Sequence, residues 1–149
     1  MVVTPMSVSV VTFYAGLNGL IAFALAALVV RQRGKTKTSL GTGGHAALEQ
    51  AIRVHGNFIE YVPLILILLL LLELGGLAPL WLHLMGIALT VGRILHAWGL
   101  STSPGESFGR AGGTALTWLT LLTALSLCIV RGALALAVSR ARCRRRSRA

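Results

Sequence analysis

The chain has 149 residues, of which 55% are hydrophobic and only 12% are charged, and its mean hydropathy is +0.78. A soluble domain of this size needs more charged residues to cover its surface. The composition therefore excludes an ordinary soluble domain and predicts an integral membrane protein.

Four apolar stretches are each long enough to cross a hydrocarbon core of about 30 Å. They are Val8–Val30, Ala47–Leu72, Pro79–Leu100 and Gly112–Val138. The first lacks a basic segment before it and is too long for a signal peptide, so we expect a retained helix. Because the connections are short, successive helices must run antiparallel. We therefore predict an all-α, four-helix antiparallel bundle over residues 1–138, followed by a disordered basic tail over residues 139–149.

The net charge of +10 is concentrated beside the helices and is not typical of nucleic-acid binding. Two clusters hold most of it: Arg31, Arg33, Lys35 and Lys37, and then Arg140, Arg142, Arg144, Arg145, Arg146 and Arg148. Such clusters contact anionic lipids and set membrane orientation. The first cluster predicts that the first and third loops are cytoplasmic, whereas the C-terminal cluster favours the opposite orientation.

No metal site is expected. The two cysteines, Cys128 and Cys143, have no disulfide or metal-binding spacing, and His45 and His83 have no partners at ligand spacing.

A polar stripe begins the second helix. Arg53, Asn57 and Glu60 fall within about 60° of one another on a helical wheel, and Glu49 lies at the same edge. A charged side chain at the centre of a membrane helix costs about 3 kcal/mol, so it usually marks a functional site. The stripe therefore predicts a site that binds something polar.

Basic residues of two other helices are expected to reach the same membrane face. Arg93 and His96 lie three residues apart on the third helix, and Arg110 begins the fourth. Arginines bind carboxylates and Glu60 can accept from an ammonium group, so the set would fit a small zwitterionic ligand. The alternative is structural: Glu60 could neutralise Arg53 or Arg93 and hold the helices together.

Two further polar features favour packing over ligand binding. Asn18 is expected to donate a hydrogen bond between helices, and the threonines of the fourth helix are expected to permit close helix contact. These threonines are Thr114, Thr117, Thr120 and Thr123.

Several motifs resemble those of the MAPEG superfamily, the membrane-associated proteins in eicosanoid and glutathione metabolism, and of its bacterial branch in particular. The second-helix motif is Arg53-x-His55-x-Asn57-x-x-Glu60-Tyr61-x-Pro63. The supporting matches are Ser39–Gly44, Glu73-Leu74, Gly92-Arg93-x-x-His96-Ala97-Trp98-Gly99-Leu100-Ser101, and Arg110-x-Gly112 with Thr114. The resemblance covers about residues 7–135.

The resemblance implies a homotrimer in the bacterial inner membrane that binds glutathione between subunits. It implies glutathione contacts at Arg53, His55, Asn57, Glu60, Tyr61, Arg93 and His96. On an ideal helix His55 points about 160° away from Arg53, and a subunit boundary would let it reach the site. In active members an arginine stabilises the glutathione thiolate, which attacks a hydrophobic electrophile. The implied catalytic residue is Arg110, with Arg31 second.

The sequence departs from other members of the superfamily at three positions, two of which lose an aromatic contact. His96 and Leu100 stand where the eukaryotic synthases carry tyrosines, and Thr42 replaces an acidic loop residue. Two functions therefore stay open. One is a glutathione transferase or peroxidase, or an enzyme using another small thiol; the other is a non-catalytic scaffold or ligand-binding module. Solute transport ranks last, because strong polarity is confined to one end of one helix.

Overall fold

The computed structural model describes residues 8–102 and 107–146, with side chains as far as residue 141. Four helices make up the fold: α1 (Ser9–Thr36), α2 (Ala46–Leu74), α3 (Pro79–Thr102) and α4 (Phe108–Arg146). All four are long and apolar enough to span a membrane. The predictions of an all-helical fold and of an integral, multi-pass membrane protein are confirmed, and the described residues contain no strand.

Helices α2 and α3 form the centre of the bundle. Helix α1 packs against one side of this pair and α4 against the other, and within the described residues no Cα atom of α1 lies within 8 Å of a Cα atom of α4. The core is built from buried aliphatic and aromatic side chains, including Phe58, Ile65, Leu69, Leu82 and Leu89.

Helices α3 and α4 meet almost backbone to backbone near the end that carries the polar stripe. A Cβ atom on Gly113 would collide with the Gly92 carbonyl and with His96, and one on Gly99 would collide with the Arg110 backbone. Glycine is needed here because any side chain would push the helices apart. The close approach fixes the start of α4 beside the end of α3.

The opposite end of the bundle is closed by polar contacts between helices. The Glu73 carboxylate accepts hydrogen bonds from the backbone amides of Val10 and Val11, each at 2.9 Å. These amides lie in the first turn of α1, where no intrahelical acceptor exists, and a carboxylate also suits the helix dipole there. Nearby, the Arg131 guanidinium donates to the Gly75 carbonyl at 2.7 Å. The end of α2 is thereby tied to both α1 and α4.

The packing roles expected of two polar features agree with the structure. Asn18 is buried and its amide donates to the Thr90 hydroxyl of α3 at 3.0 Å, so the predicted interhelical bond is confirmed. Thr117 and Thr120 are buried and bond to carbonyls of their own helix. Their hydroxyls are thus satisfied without a ligand.

Two boundaries differ from the sequence predictions. Helix α1 continues to Thr36, six residues beyond the apolar stretch that ends at Val30. Helix α4 continues to Arg146, so the expected disorder does not hold for residues 139–146. An apolar run followed by arginines gives no stop signal such as Gly or Pro, and arginine is itself a good helix former. Residues 103–106 of the third loop, and the last three residues, lie outside the described part.

Candidate functional site

A cavity of about 820 Å³ lies at the end of the bundle formed by the start of α2, the end of α3 and the start of α4. Its polar wall is supplied by Glu49, Gln50, Arg53, Asn57, Glu60, His96 and Arg110. The size falls within the range of about 300–1,000 Å³ that is usual for small-molecule sites. Five of the residues predicted from the sequence therefore share one cavity: Arg53, Asn57, Glu60, His96 and Arg110.

Helix α2 lines one wall because its polar residues recur at helical spacing. Arg53, Asn57 and Glu60 occupy successive turns of one face, while Val54 and Phe58 of the adjacent face are buried in the core. Arg53 and Glu60 are exposed and Asn57 is half-buried. A face that alternates between cation, amide and anion offers groups of both charges to a ligand.

Arg93 lies behind the cavity wall. It is 1% exposed, and one terminal nitrogen of its guanidinium donates to Asn57 Oδ1 at 2.9 Å. The guanidinium also lies over the Phe58 ring, 5.4 Å from the ring centre. Arg93 therefore orients Asn57 from behind the wall, and its contact with a ligand stays a prediction.

The structural alternative for Glu60 finds no support among the hydrogen bonds of the described residues. The partner of Arg93 is Asn57, and no hydrogen bond joins Glu60 to a guanidinium in residues 8–102 or 107–141. The carboxylate lies on the cavity wall instead. Glu60 is thus placed to interact with a molecule inside the cavity.

His96 brings a buried imidazole to the cavity. The residue is 3% exposed, and within the described part of the chain its Nδ1 atom has no hydrogen-bond partner. The same holds for Nε of Arg93, one turn earlier on α3. Buried polar atoms usually have partners, so the Nδ1 atom of His96, a residue of the cavity wall, is a candidate partner for a bound molecule.

Arg110 reaches the cavity from the first turn of α4. Its backbone amide donates to the Ser107 hydroxyl at 3.3 Å, a serine cap of the kind that starts helices. The side chain is exposed and lines the cavity. Arg110 and Arg53 thus present two guanidinium groups from different helices.

Besides Arg93, three predicted site residues are not part of the cavity wall within this chain. His55 and Tyr61 are half-buried on other faces of α2, and Arg31 is exposed on α1. The position of His55 agrees with its calculated direction away from Arg53. Whether these three residues contribute across a subunit boundary stays a prediction.

Gln50 was missed by the sequence analysis. Its side-chain amide donates to the Leu100 carbonyl. This carbonyl belongs to the last turn of α3, where carbonyl groups receive no hydrogen bond from an amide of their own helix. The spacing of three residues to Arg53 was a usable signal, since Gln50 falls on the adjoining part of the same face. Gln50 fastens the end of α3 to the start of α2.

Comparison with known proteins agrees with the motifs of α2 and α3. The family model described as "MAPEG family" matches residues 11–130. The chain belongs to the MAPEG family. It is also 36% identical to the inner membrane protein YecN of Escherichia coli over 109 residues, which cover 73% of this chain and 82% of that protein. The YecN sequence of a second Escherichia coli strain matches to the same extent.

The matched region contains the cavity. Residues 11–130 include every residue of the cavity wall, whereas the last part of α4 lies beyond the match. YecN is named as an inner membrane protein of Escherichia coli.

Proposed function

We propose that this MAPEG protein binds glutathione, or another low-molecular-weight thiol, in the 820 Å³ cavity and transfers it to hydrophobic electrophiles or uses it to reduce them. The observation that carries the proposal is the convergence of two guanidinium groups, two carboxylates and a buried imidazole on one cavity. Charges held at a membrane helix end without evident structural partners favour a polar ligand.

The charges of the wall complement those of glutathione, which carries two carboxylates and one ammonium group. Arg53 and Arg110 are suited to the carboxylates, because a guanidinium can donate two parallel hydrogen bonds to one carboxylate. Glu49 and Glu60 are suited to the ammonium group. Asn57, held by Arg93, retains its side-chain amide as a donor towards the ligand.

The chemistry requires the thiol to become a thiolate, which is the nucleophile. A guanidinium beside the sulfur stabilises the thiolate and lowers the pKa of the thiol. We assign this role to Arg110, with Arg31 of a neighbouring subunit as the second candidate. The thiolate then attacks an electrophile that enters from the membrane.

We also propose the homotrimer. Arg31, His55 and Tyr61 lie outside the cavity wall of a single chain, and a subunit boundary would bring them to the site. Cross-linking followed by mass measurement should give three copies, whereas a single copy at all protein concentrations would contradict the trimer.

A thiol-dependent thermal shift on the detergent-solubilised protein tests the proposal. Glutathione, bacillithiol and mycothiol would each be titrated, with the S-methylated form of each as a control for binding without thiolate formation. A ligand at about one hundred times its Kd adds about 2.7 kcal/mol to stability, which gives a measurable shift. No shift with any thiol would contradict the proposed binding.

The second candidate is a non-catalytic ligand-binding module. It is favoured by Leu100, an apolar residue on the cavity wall where eukaryotic relatives of this family carry a tyrosine. The ultraviolet absorbance of the thiolate separates the two functions. An enzyme should raise the absorbance when glutathione is added, whereas a module that only binds should leave it unchanged.

A further inference from the structure

A groove of about 470 Å³ lies on the outside of the bundle, at the end opposite the thiol cavity, where α2 ends beside α4. Its wall includes Leu71, Leu72 and Gly75 from the end of α2, and Arg131, Gly132 and Leu134 from α4. None of these residues lines the thiol cavity. The groove extends past residue 130, where the match to the family model ends, so its α4 side is a feature of this chain.

The groove faces the surroundings of the bundle and is mostly apolar. Leu71 is 54% exposed and Leu134 is 61% exposed, and both lie on helices that are long and apolar enough to span a membrane. Every residue of α4 from Gly132 to Ala141 is exposed. Exposed apolar side chains of a membrane helix contact lipid tails, which are as apolar as leucine. The apolar part of the wall therefore suits an acyl chain.

A glycine keeps the groove open. A Cβ atom on Gly132 would meet nothing within 4 Å, so the space beside this residue belongs to the groove. A dry cavity of about 150 Å³ holds one benzene molecule. A groove of about 470 Å³ therefore has room for a length of acyl chain.

Arg131 is the only charged residue among those that line the groove. Its Nη1 atom donates to the Gly75 carbonyl at 2.7 Å, which is the one hydrogen bond that this guanidinium makes to another described residue. This bond fixes the half-buried side chain. The edge formed by Nε and Nη2 keeps two parallel donors, an arrangement that fits two oxygens of one phosphate group.

The height of Arg131 along the bundle corresponds to the layer of lipid headgroups. Arg131 lies beside Gly75, at the point where the chain leaves α2. At the same end, Trp81 in the first turn of α3 is 58% exposed, and tryptophan is enriched at the boundary between membrane and water. An arginine at this height can lay its aliphatic part on apolar surface and extend its guanidinium to the phosphates.

We propose that this groove binds one anionic phospholipid, with its phosphate on Arg131 and an acyl chain along Leu71. Leu71 lies one turn before Gly75, on the side of the guanidinium that faces the middle of the membrane. The lining residues include no carboxylate, so the groove is positively charged and has no partner for the cationic headgroup of phosphatidylcholine. Phosphatidylglycerol, which carries a net negative charge, is the better match.

Competition between two lipids, measured by native mass spectrometry, tests the proposal. The delipidated full chain in neutral detergent would receive equal amounts of phosphatidylglycerol and phosphatidylcholine with identical acyl chains, and the wild type should retain mainly phosphatidylglycerol. Arg131→Gln keeps a donor for the Gly75 carbonyl but loses the charge. It should lower the preference about tenfold or more, because hydrogen bonds to charged groups are the stronger ones. Arg140→Gln, on the exposed part of the same helix, should keep the preference.

A second pair of variants tests the groove without changing a charge. Gly132→Leu places a side chain in open space and raises helix propensity, so it should fold and should retain less phosphatidylglycerol than the wild type. Gly16→Leu makes the same change at an exposed position of α1 that also has open space, and its retention should be normal. Phosphatidylglycerol should raise the melting temperature of the wild type and of both controls, but not of Arg131→Gln or Gly132→Leu.

Three results would overturn the lipid site. An unchanged lipid preference in Arg131→Gln and Gly132→Leu would mean that the retained lipid binds elsewhere. An equal thermal shift with inorganic phosphate would mean that Arg131 binds an anion without a lipid. Dissociation of an assembly in Gly132→Leu, seen as a smaller mass, would mean that another copy of the chain covers the groove. None of these measurements uses a thiol, so the outcome is independent of the proposed function.

Discussion

The two ends of the bundle handle polar groups in opposite ways. At the end where the chain turns from α2 into α3, the Glu73 carboxylate accepts hydrogen bonds from two backbone amides of α1. The Arg131 guanidinium donates a hydrogen bond to a carbonyl of that turn. At the other end, Arg53, Glu60 and Arg110 line a cavity, and their side chains make no hydrogen bond to another described residue. The same kinds of side chain thus close one end and leave the other able to receive a ligand.

This difference teaches how to interpret charged residues in a membrane helix. A charged side chain at a helix end is compatible with a structural role when it forms its hydrogen bonds with other groups of the protein, as Glu73 does. When its donors and acceptors face a cavity, the favourable interactions that offset its desolvation must come from water or a ligand. Removing groups from the two ends should therefore have opposite effects on stability and on binding.

Arg110→Ala should give the largest effect, a loss of conjugation rate of about a hundredfold or more, because one group that stabilises developing charge is removed. The melting temperature should change little, since the side chain is exposed. Steady-state rates with glutathione and an activated alkene provide the measurement. Arg140→Ala, an exposed arginine of the same helix, is the control, and equal rates in the two variants would remove Arg110 from the mechanism.

Asn57→Leu should affect both properties, because Asn57 lines the cavity and also accepts from Arg93. The change leaves a buried guanidinium without its partner, which we expect to cost about 3 kcal/mol of unfolding free energy. Denaturant unfolding in detergent measures the loss. Asn57→Asp keeps an acceptor and should be less destabilised, and an equal loss in both variants would contradict a role for this hydrogen bond.

Glu73→Ala should destabilise the protein by about 1–2 kcal/mol, since two amides in the first turn of α1 lose their acceptor. Thiol affinity, measured on the folded fraction by calorimetry, should stay at the wild-type value. Glu73→Gln keeps one side-chain oxygen as an acceptor, so its free energy of unfolding should lie between those of the wild type and Glu73→Ala. If Glu73→Ala instead weakened thiol binding and left stability unchanged, the structural role assigned to this end of the bundle would be wrong.

Arg53→Ala and Glu60→Gln should weaken glutathione binding, each by roughly tenfold, which corresponds to about 1.4 kcal/mol. Both side chains are exposed on the cavity wall, so the free energy of unfolding should change by less than about 0.5 kcal/mol. Calorimetry gives the affinity, with Lys35→Ala on the exposed surface of α1 as the control. Full affinity in both variants would show that the polar stripe does not bind the thiol.

The sequence was sufficient to predict the four helices and one wall of the cavity. Apolar runs of spanning length identify the helices, and residues recurring at helical spacing must share a face, as Arg53, Asn57 and Glu60 do. Short loops then place the start of α2, the end of α3 and the start of α4 at the same end of the bundle. This brings His96 and Arg110 to the same cavity. These inferences need only the helix period and the thickness of the membrane.

The remaining contacts depend on the register between helices, which helix periodicity does not encode. The bond from Gln50 to Leu100, the capping of α1 by Glu73 and the bond from Arg93 to Asn57 each require two helices at a given height. Arg93 lies behind Asn57 within this chain, and its contact with a ligand stays a prediction. The end of α4 was also misjudged, because its basic residues are compatible with both a helix and a disordered tail.

Labelling of a single cysteine tests most directly whether the polar end holds a ligand cavity. Gly56 lies on the cavity wall with open space around it, so Gly56→Cys can be introduced with Cys128 and Cys143 replaced by serine. Gly16→Cys is the control, since Gly16 has equal space on the exposed, membrane-spanning face of α1. A charged, sulfonated maleimide should modify Gly56→Cys rapidly, should be slowed by S-methylglutathione, and should leave Gly16→Cys unmodified. Absence of labelling at Gly56→Cys, or labelling that S-methylglutathione does not slow, would contradict a water-filled thiol site between α2, α3 and α4.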